Sequence, residues 1–184
     1  MSSTPVLLPV EEYLNTVYRP DRDYIDGQVV ERNMGETPHA GLQTFFGWYF
    51  RARLDEWHAE AFTEQRVQVA ERKYRIPDVC VISLDAPYDD LIVRTPPVLC
   101  IEILSSKDTM PAIQRRLDDY ARMGVRCSWV VDPWRRTAFQ ARADAVLDEK
   151  KDRLEVPGTP IAIAVDAIFA ELDRLEKRAA APGA

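Results

Sequence analysis

The chain has 184 residues, 46% of them hydrophobic and 29% charged, with 30 Asp and Glu against 24 Lys and Arg for a net charge of −6. That is about one ordinary domain in length, and the balance excludes a disordered or collagen-like chain and a nucleic-acid binder acting by bulk positive charge. With His39 and His58 as the only histidines, an HExxH metalloprotease and a two-Cys-two-His zinc finger are excluded as well.

In chain order, VEEYLNTVY (10–18) predicts a short helix and YIDGQVVER (24–32) a strand or hairpin arm around Gly27. Over 37–61, Thr37 reads as a cap and Pro38 as the first helical position. Leu42, Phe45, Phe46, Tyr49, Leu54 and Trp57 then recur at helical spacing, which predicts one long amphipathic helix lying on something flat. FTEQRVQVA (62–70) alternates like a half-exposed strand. IPDVCVIS (76–83) and PVLCIEIL (97–104) are nearly continuous apolar runs, as strands covered on both faces are. PAIQRRLDDYARMG (111–124) is a helix with proline at its start and Gly124 just past its end. CSWVVDP (127–133) is another central strand, RRTAFQAR (135–142) its hairpin arm, and KKDRLEVPGTPIAI supplies turns and weak strands. DAIFAELDRLEKR (166–178) is a closing helix capped by Asp166. The whole reads as one α/β domain over 1–178, a central mixed sheet flanked by helices, with a disordered tail at 179–184.

Cys80, Cys100 and Cys127 lie in apolar runs without C-x-x-C spacing, so they read as buried free thiols of a protein in a reducing compartment, the cytoplasm. No apolar run approaches the ~20 residues of a membrane span. The opening MSSTPVLLPVEE turns acidic where a signal peptide would stay apolar. No membrane is expected as a partner. The tryptophans at 48, 57 and 134, with Tyr49, exceed what one helix face buries, which points to a homodimer.

Two carboxylates break the pattern around them. Asp78 follows Pro77 at the entry to a buried strand, and Glu102 lies inside the run PVLCIEIL. A lone ionised carboxylate there costs several kcal/mol unless it is paired, protonated or bound to a metal. With the main-chain carbonyl of Ile103, the two make a hard oxygen site for Mg2+ or Mn2+. The alternative is a pair of core acids satisfied by a neighbouring Arg, Tyr or backbone donor, and the local pattern does not choose between these. Residues 105–142 carry eight Lys and Arg against four Asp in an otherwise acidic chain, either a phosphate-binding face or a solvated one. In the helix 111–123 the buried stripe is Ile113, Leu117, Tyr120 and Ala121; Arg116 falls on its edge and can reach back to the sheet, while Arg115 points to solvent.

Taken together, DYIDGQVVE, a helix with an early His39, RIPDVCVI, IEILSS, a basic helix ending DDYARMGV, and SWVVDP resemble the Uma-two family of restriction endonucleases in the PD-(D/E)XK nuclease superfamily. The similarity covers about residues 10–172. It implies a restriction-endonuclease-like core, DNA as substrate, and a divalent metal held by Asp78 and Glu102. It implies that Asp23 assists the metal or its water, and that His39 and Gln65 face the site to position water or substrate; capping or packing for His39, and an edge-strand position for Gln65, remain open. The superfamily lysine two residues after the strand Glu is here Leu104. The family's displaced lysine, four residues before the Tyr, is here Arg116, which neutralises charge but stays protonated and cannot be a base. Lys107 is the remaining candidate lysine. Two functions follow: a metal-dependent DNA endonuclease, or a catalytically impaired nuclease fold acting as a nucleic-acid-binding or protein-interaction module.

Overall fold

The computed structural model describes residues 7–32, 36–87, 89 and 91–180. After α1 (Val10–Asn15), strands β1 (Arg22–Ile25) and β2 (Gln28–Glu31) form an antiparallel hairpin. Asp26 and Gly27 make its turn, both at positive φ as a tight hairpin demands. Helix α2 spans Thr37–Arg51, α3 Leu54–Trp57, β3 Ala59–Thr63, β4 Val67–Ala70, β5 Lys73–Arg75 and β6 Val79–Ser83. Then come β7 (Leu99–Ile103), α4 (Met110–Met123), β8 (Cys127–Asp132), β9 (Thr137–Arg142), β10 (Leu147–Lys150), β11 (Arg153–Glu155), β12 (Ala162–Ala164) and α5 (Val165–Ala180). Helix α5 therefore continues into the expected tail; residues 181–184 lie outside the described residues.

A six-stranded sheet, in the order β10-β9-β8-β7-β6-β3, is the centre. Only β7 and β8 run parallel, joined by α4 as the crossover; the other neighbours are antiparallel. A second sheet, β2-β1-β5-β4, stands beside it, and β11 pairs with β12. The chain passes from β5 in the smaller sheet to β6 in the larger through Ile76, Pro77 and Asp78, so Asp78 sits where the two sheets meet. This is the mixed α/β core expected from the apolar runs.

Both faces of the large sheet are covered. Leu99, Ile101, Ile103, Trp129 and Val131 pack against Leu42, Phe46 and Phe50 of α2 and Ile168 and Leu172 of α5. Cys100, Val130 and Leu104 pack on the other side with Ile113, Leu117 and Tyr120 of α4 and Val67 and Val69 of β4. A cluster of Tyr13, Tyr24, Tyr74 and Ile92 fills the smaller sheet's interior. The three cysteines are free and buried, and burial pushes the Cys127 thiol up to about 12.

Four expectations are corrected. The long helix over 37–61 ends at Arg51; α3 is one turn closed by His58 in a left-handed conformation, and residues 59–63 pair instead with β6 as an edge strand. Phe50, not Tyr49, joins the fully buried stripe. The strand over 62–70 is two strands in different sheets, and Gln65 lies in the link between them. Trp57 is buried, which leaves Trp48 and Trp134 as the exposed tryptophans.

Helix α4 ends where Gly124 adopts φ +104, and a Cβ there would come within 3.3 Å of Pro96 Cγ. Since a left-handed L-residue costs roughly 1–2 kcal/mol, Gly124→Ala is expected to lower stability by about that amount in urea unfolding without loss of helical signal. Unchanged stability would contradict this account of the helix end.

Candidate active site

Strand alternation decides which way Glu102 points. Leu99, Ile101 and Ile103 face α2 and α5, so Cys100, Glu102 and Leu104 face α4. Arg116 and Tyr120, one helical turn apart on α4, each take one oxygen of Glu102: Arg116 Nη1 donates to Oε2 at 2.6 Å and the Tyr120 hydroxyl to Oε1. Arg115 is exposed, as the helical phase predicts.

Asp78 comes next to Glu102 through the antiparallel β6–β7 register, one step beyond the Val79–Ile101 pair. Its Oδ1 accepts from Arg32 Nη2 at 2.6 Å, and its Oδ2 from the Ile103 backbone N–H at 2.7 Å. His39 Nε2, in the first turn of α2, lies 3.3 Å from Oδ2. Gln43, one turn along α2, donates to the Asp78 carbonyl at 3.0 Å and to Glu64 at 3.1 Å, and Arg32 also reaches Glu64 at 3.3 Å. Asp78 and Glu102 are 2% and 1% exposed.

Asp23, on β1, accepts from Arg75 Nη1 at 2.9 Å and from the Ile76 N–H at 3.1 Å, and lies 3.9 Å from Arg116 Nη2. Arg75 also grips Asp119 of α4, which Lys73 and Arg122 contact as well. The result is an alternating chain of charge from Glu102 through Arg116, Asp23 and Arg75 to Asp119. It borders a polar cleft of about 470 Å3 between the β1–β2 hairpin and α4, lined by both signs, with Arg115, Arg116 and Arg122 on the α4 side. The eight basic residues of 105–142 are therefore not one open cationic face: Arg116, Arg122, Arg135 and Arg136 are in ion pairs.

Of the residues singled out in the sequence, Asp78, Glu102, Arg116, Asp23 and His39 converge. Ile103 takes part through its amide N–H. Lys107 is exposed in the loop after β7, and its backbone N–H bonds Ser105 Oγ at 3.3 Å. Gln65 bonds the Leu91 carbonyl at 3.3 Å and lines a separate cavity with Phe62, Ile82 and Ile92. Leu104 is buried in the apolar cluster under α4, where a lysine would be unsolvated. Sequence reasoning missed Arg32, Gln43, Glu64 and Arg75. Gln43 carried a signal, since it stands four residues after His39 on one helix face.

Burial pushes the Asp78 carboxyl up, but the His39 hydrogen bond, the Arg32 charge and the Ile103 N–H outweigh it and hold it below the ordinary carboxylate value. Glu102 goes the other way: burial raises it, Arg116 opposes, and the neighbouring Asp78 charge adds to the rise. The two acids thus differ: Asp78 is held ionised by its donors, whereas Glu102 is raised chiefly by burial. Mg2+ is commonly held by one or two carboxylates together with waters and substrate phosphates, so Asp78 and Glu102 fit such an ion. Among the described residues no group of three or more His, Cys, Asp and Glu side chains is placed to hold a metal.

Burial lowers the His39 pKa, yet its hydrogen bond to Asp78 and that residue's charge raise it above the ordinary histidine value. The folded protein thus binds this proton more tightly than the unfolded chain. The stabilisation is complete below about pH 6.5, the unfolded value, and is lost as the pH rises through the folded one. In metal-free protein, His39→Gln is expected to lower the melting temperature most at pH 6, and by less at each higher pH. A deficit independent of pH would contradict the pairing.

The Uma2 family model, described as "Putative restriction endonuclease", matches residues 10–166. A solved structure described as "a putative nuclease belonging to DUF820", from Anabaena variabilis, superposes with a TM-score of 0.78 at 22% identity, covering 91% of this chain and 99% of that one. No curated protein matches. At that identity the likeness to the solved structure is one of fold.

Proposed function

The chain belongs to the Uma2 family, and from that premise we propose that it is a metal-dependent endonuclease that hydrolyses phosphodiester bonds in DNA. The observation that carries the reading is the pair of buried, adjacent carboxylates, Asp78 and Glu102, with the half-buried guanidinium of Arg116 bonded to Glu102. Neither acid is explained by packing, and each sits at a sheet position that an apolar residue would fill at lower cost.

Asp78 and Glu102 would hold Mg2+ or Mn2+, which supplies a bound water of lowered pKa and neutralises phosphate charge. The protein's own groups do the rest. Arg116 binds a non-bridging phosphate oxygen and the charge that builds on it; as a permanent cation it takes no proton. Asp23 orients Arg116 from its far side and Arg75 fixes Asp23 in turn. Tyr120 fixes the Glu102 carboxylate, and Gln43 fixes the backbone at Asp78. His39, with Nε2 3.3 Å from Asp78 Oδ2, orients that carboxylate and would position water near it. Lys107, exposed in the loop after β7, is a further candidate phosphate contact, whereas the contacts of Gln65 give it no part in the site. Three buried free thiols suit the cytoplasm, and no helix among the described residues is long and apolar enough to cross a membrane. A homodimer setting two such sites on one duplex belongs to the same proposal.

Incubation of supercoiled plasmid with Mg2+, Mn2+ or EDTA tests the reading. Nicking that requires the metal is expected; plasmid left intact at every metal concentration would overturn it. A second reading, a nuclease fold that binds without cutting, is favoured by one observation. All four oxygens of Asp78 and Glu102 already accept from protein donors. Duplex binding with a steep salt dependence but no cleavage would select it.

A further inference from the structure

Arg32 does not belong to any motif of the sequence, yet it is the shortest contact Asp78 makes with a side chain. It follows the last residue of β2, its side chain is 8% exposed, and it spans Asp78 at 2.6 Å and Glu64 at 3.3 Å. Its Nε–H is buried and has no hydrogen-bond partner among the described residues. A buried guanidinium normally satisfies all its donors, so this one retains a vacant donor next to the paired acids. Arg32 also feels the charges of Arg116 and Glu102, so both arginines lie near the paired acids.

A guanidinium and a divalent cation compete for Asp78 Oδ1. Both are positive groups directed at the same lone pairs, and crowding both onto Asp78 sets like charges a few ångströms apart in a dry site. Whatever draws Arg32 off Asp78 must be an anion able to use its unpartnered donor. Building on the proposed function, we propose that Arg32 is a substrate-binding residue that rests on Asp78 and moves to a DNA phosphate, so that cation binding at Asp78 and phosphate binding at Arg32 occur together. Arg32 is then a second phosphate contact in addition to Arg116, and Glu64 is the hinge that holds its other nitrogen.

The test is Mn2+ affinity, read from the electron paramagnetic resonance of free Mn2+, for wild type, Arg32→Met, Arg32→Lys and Glu102→Gln without DNA. Arg32→Met is expected to bind Mn2+ at least about tenfold more tightly than wild type, because nothing competes for Asp78. Arg32→Lys, which keeps the charge but loses the fork that spans Asp78 and Glu64, is expected between the two and carries the test should the Met variant not fold. Duplex affinity measured in Ca2+ is expected to change in the opposite direction in both variants. In Arg32→Met the salt slope is expected to fall by about 0.9, one phosphate contact. If wild type binds Mn2+ through Glu102 and neither Arg32 variant alters that affinity, the resting role of Arg32 is wrong while the nuclease reading stands. Duplex affinity and salt slope unchanged in Arg32→Met would overturn the phosphate contact. If no protein shows Mn2+ binding that depends on Glu102, the metal site fails and this proposal with it.

Discussion

Asp78→Ala is expected to abolish cleavage and to destabilise the fold together, a larger combined loss than any other single change. Metal-assisted hydrolysis draws several kcal/mol from the ion, and each ~1.4 kcal/mol is tenfold in rate, so activity should fall by about 10^3-fold or more. The stability effect has a separate origin. Removing Asp78 leaves the buried Arg32 without its nearest carboxylate, His39 without its partner and the Ile103 N–H without an acceptor. Breaking a buried charge pair costs about 3–5 kcal/mol. Asp78→Asn keeps the shape and an acceptor for Ile103, so it should recover part of the stability and none of the activity. A stable but inactive Asn variant beside an unstable Ala variant separates the two roles; an active Asn variant would remove Asp78 from the chemistry.

Arg116→Ala carries the second large effect. Its guanidinium bonds Glu102 at 2.6 Å and lies within 3.9 Å of Asp23, so its loss deprives two buried carboxylates of one cation. Removing a preorganised group that stabilises transition-state charge costs about 10^2–10^3 in rate, and a loss of that size is expected here. Arg116→Lys keeps the charge but cannot span both acids. It should retain more activity than the alanine variant, and restores the residue type that the family resemblance places there. Cleavage by Arg116→Ala at the wild-type rate would show that the phosphate is neutralised elsewhere, with Arg32 the nearest candidate.

Much of this site is written locally. The apolar runs around Cys80 and Cys100 mark strands covered on both faces, and their antiparallel pairing puts Asp78 beside Glu102. Helical phase alone sends Arg116 and Tyr120 to the sheet and Arg115 to solvent. What the sequence leaves obscure depends on distant contacts. Arg32 follows a short, mostly exposed hairpin strand whose pattern is that of any surface strand, and only the meeting of the two sheets brings it 46 residues along the chain to Asp78. Strand β5 has three residues, too few for alternation to register. The break after Arg51 has no glycine or proline to announce it; β3 is drawn into the sheet by five paired residues of β6, a tertiary demand that overrides helical periodicity. Gln65 shows the same limit, since the alternation on either side of it belongs to two different sheets.

The most direct test of the central claim is plasmid nicking by wild type and Glu102→Gln, purified identically and matched by circular dichroism, in Mg2+ and in Mn2+. The substitution removes one charge from the paired acids while retaining the size of the side chain and an acceptor for Tyr120. Nicking by wild type is expected to need the metal and to be lost in Glu102→Gln. Equal nicking by both proteins would contradict this, because the reaction would then owe nothing to the one acid buried within the apolar run of β7.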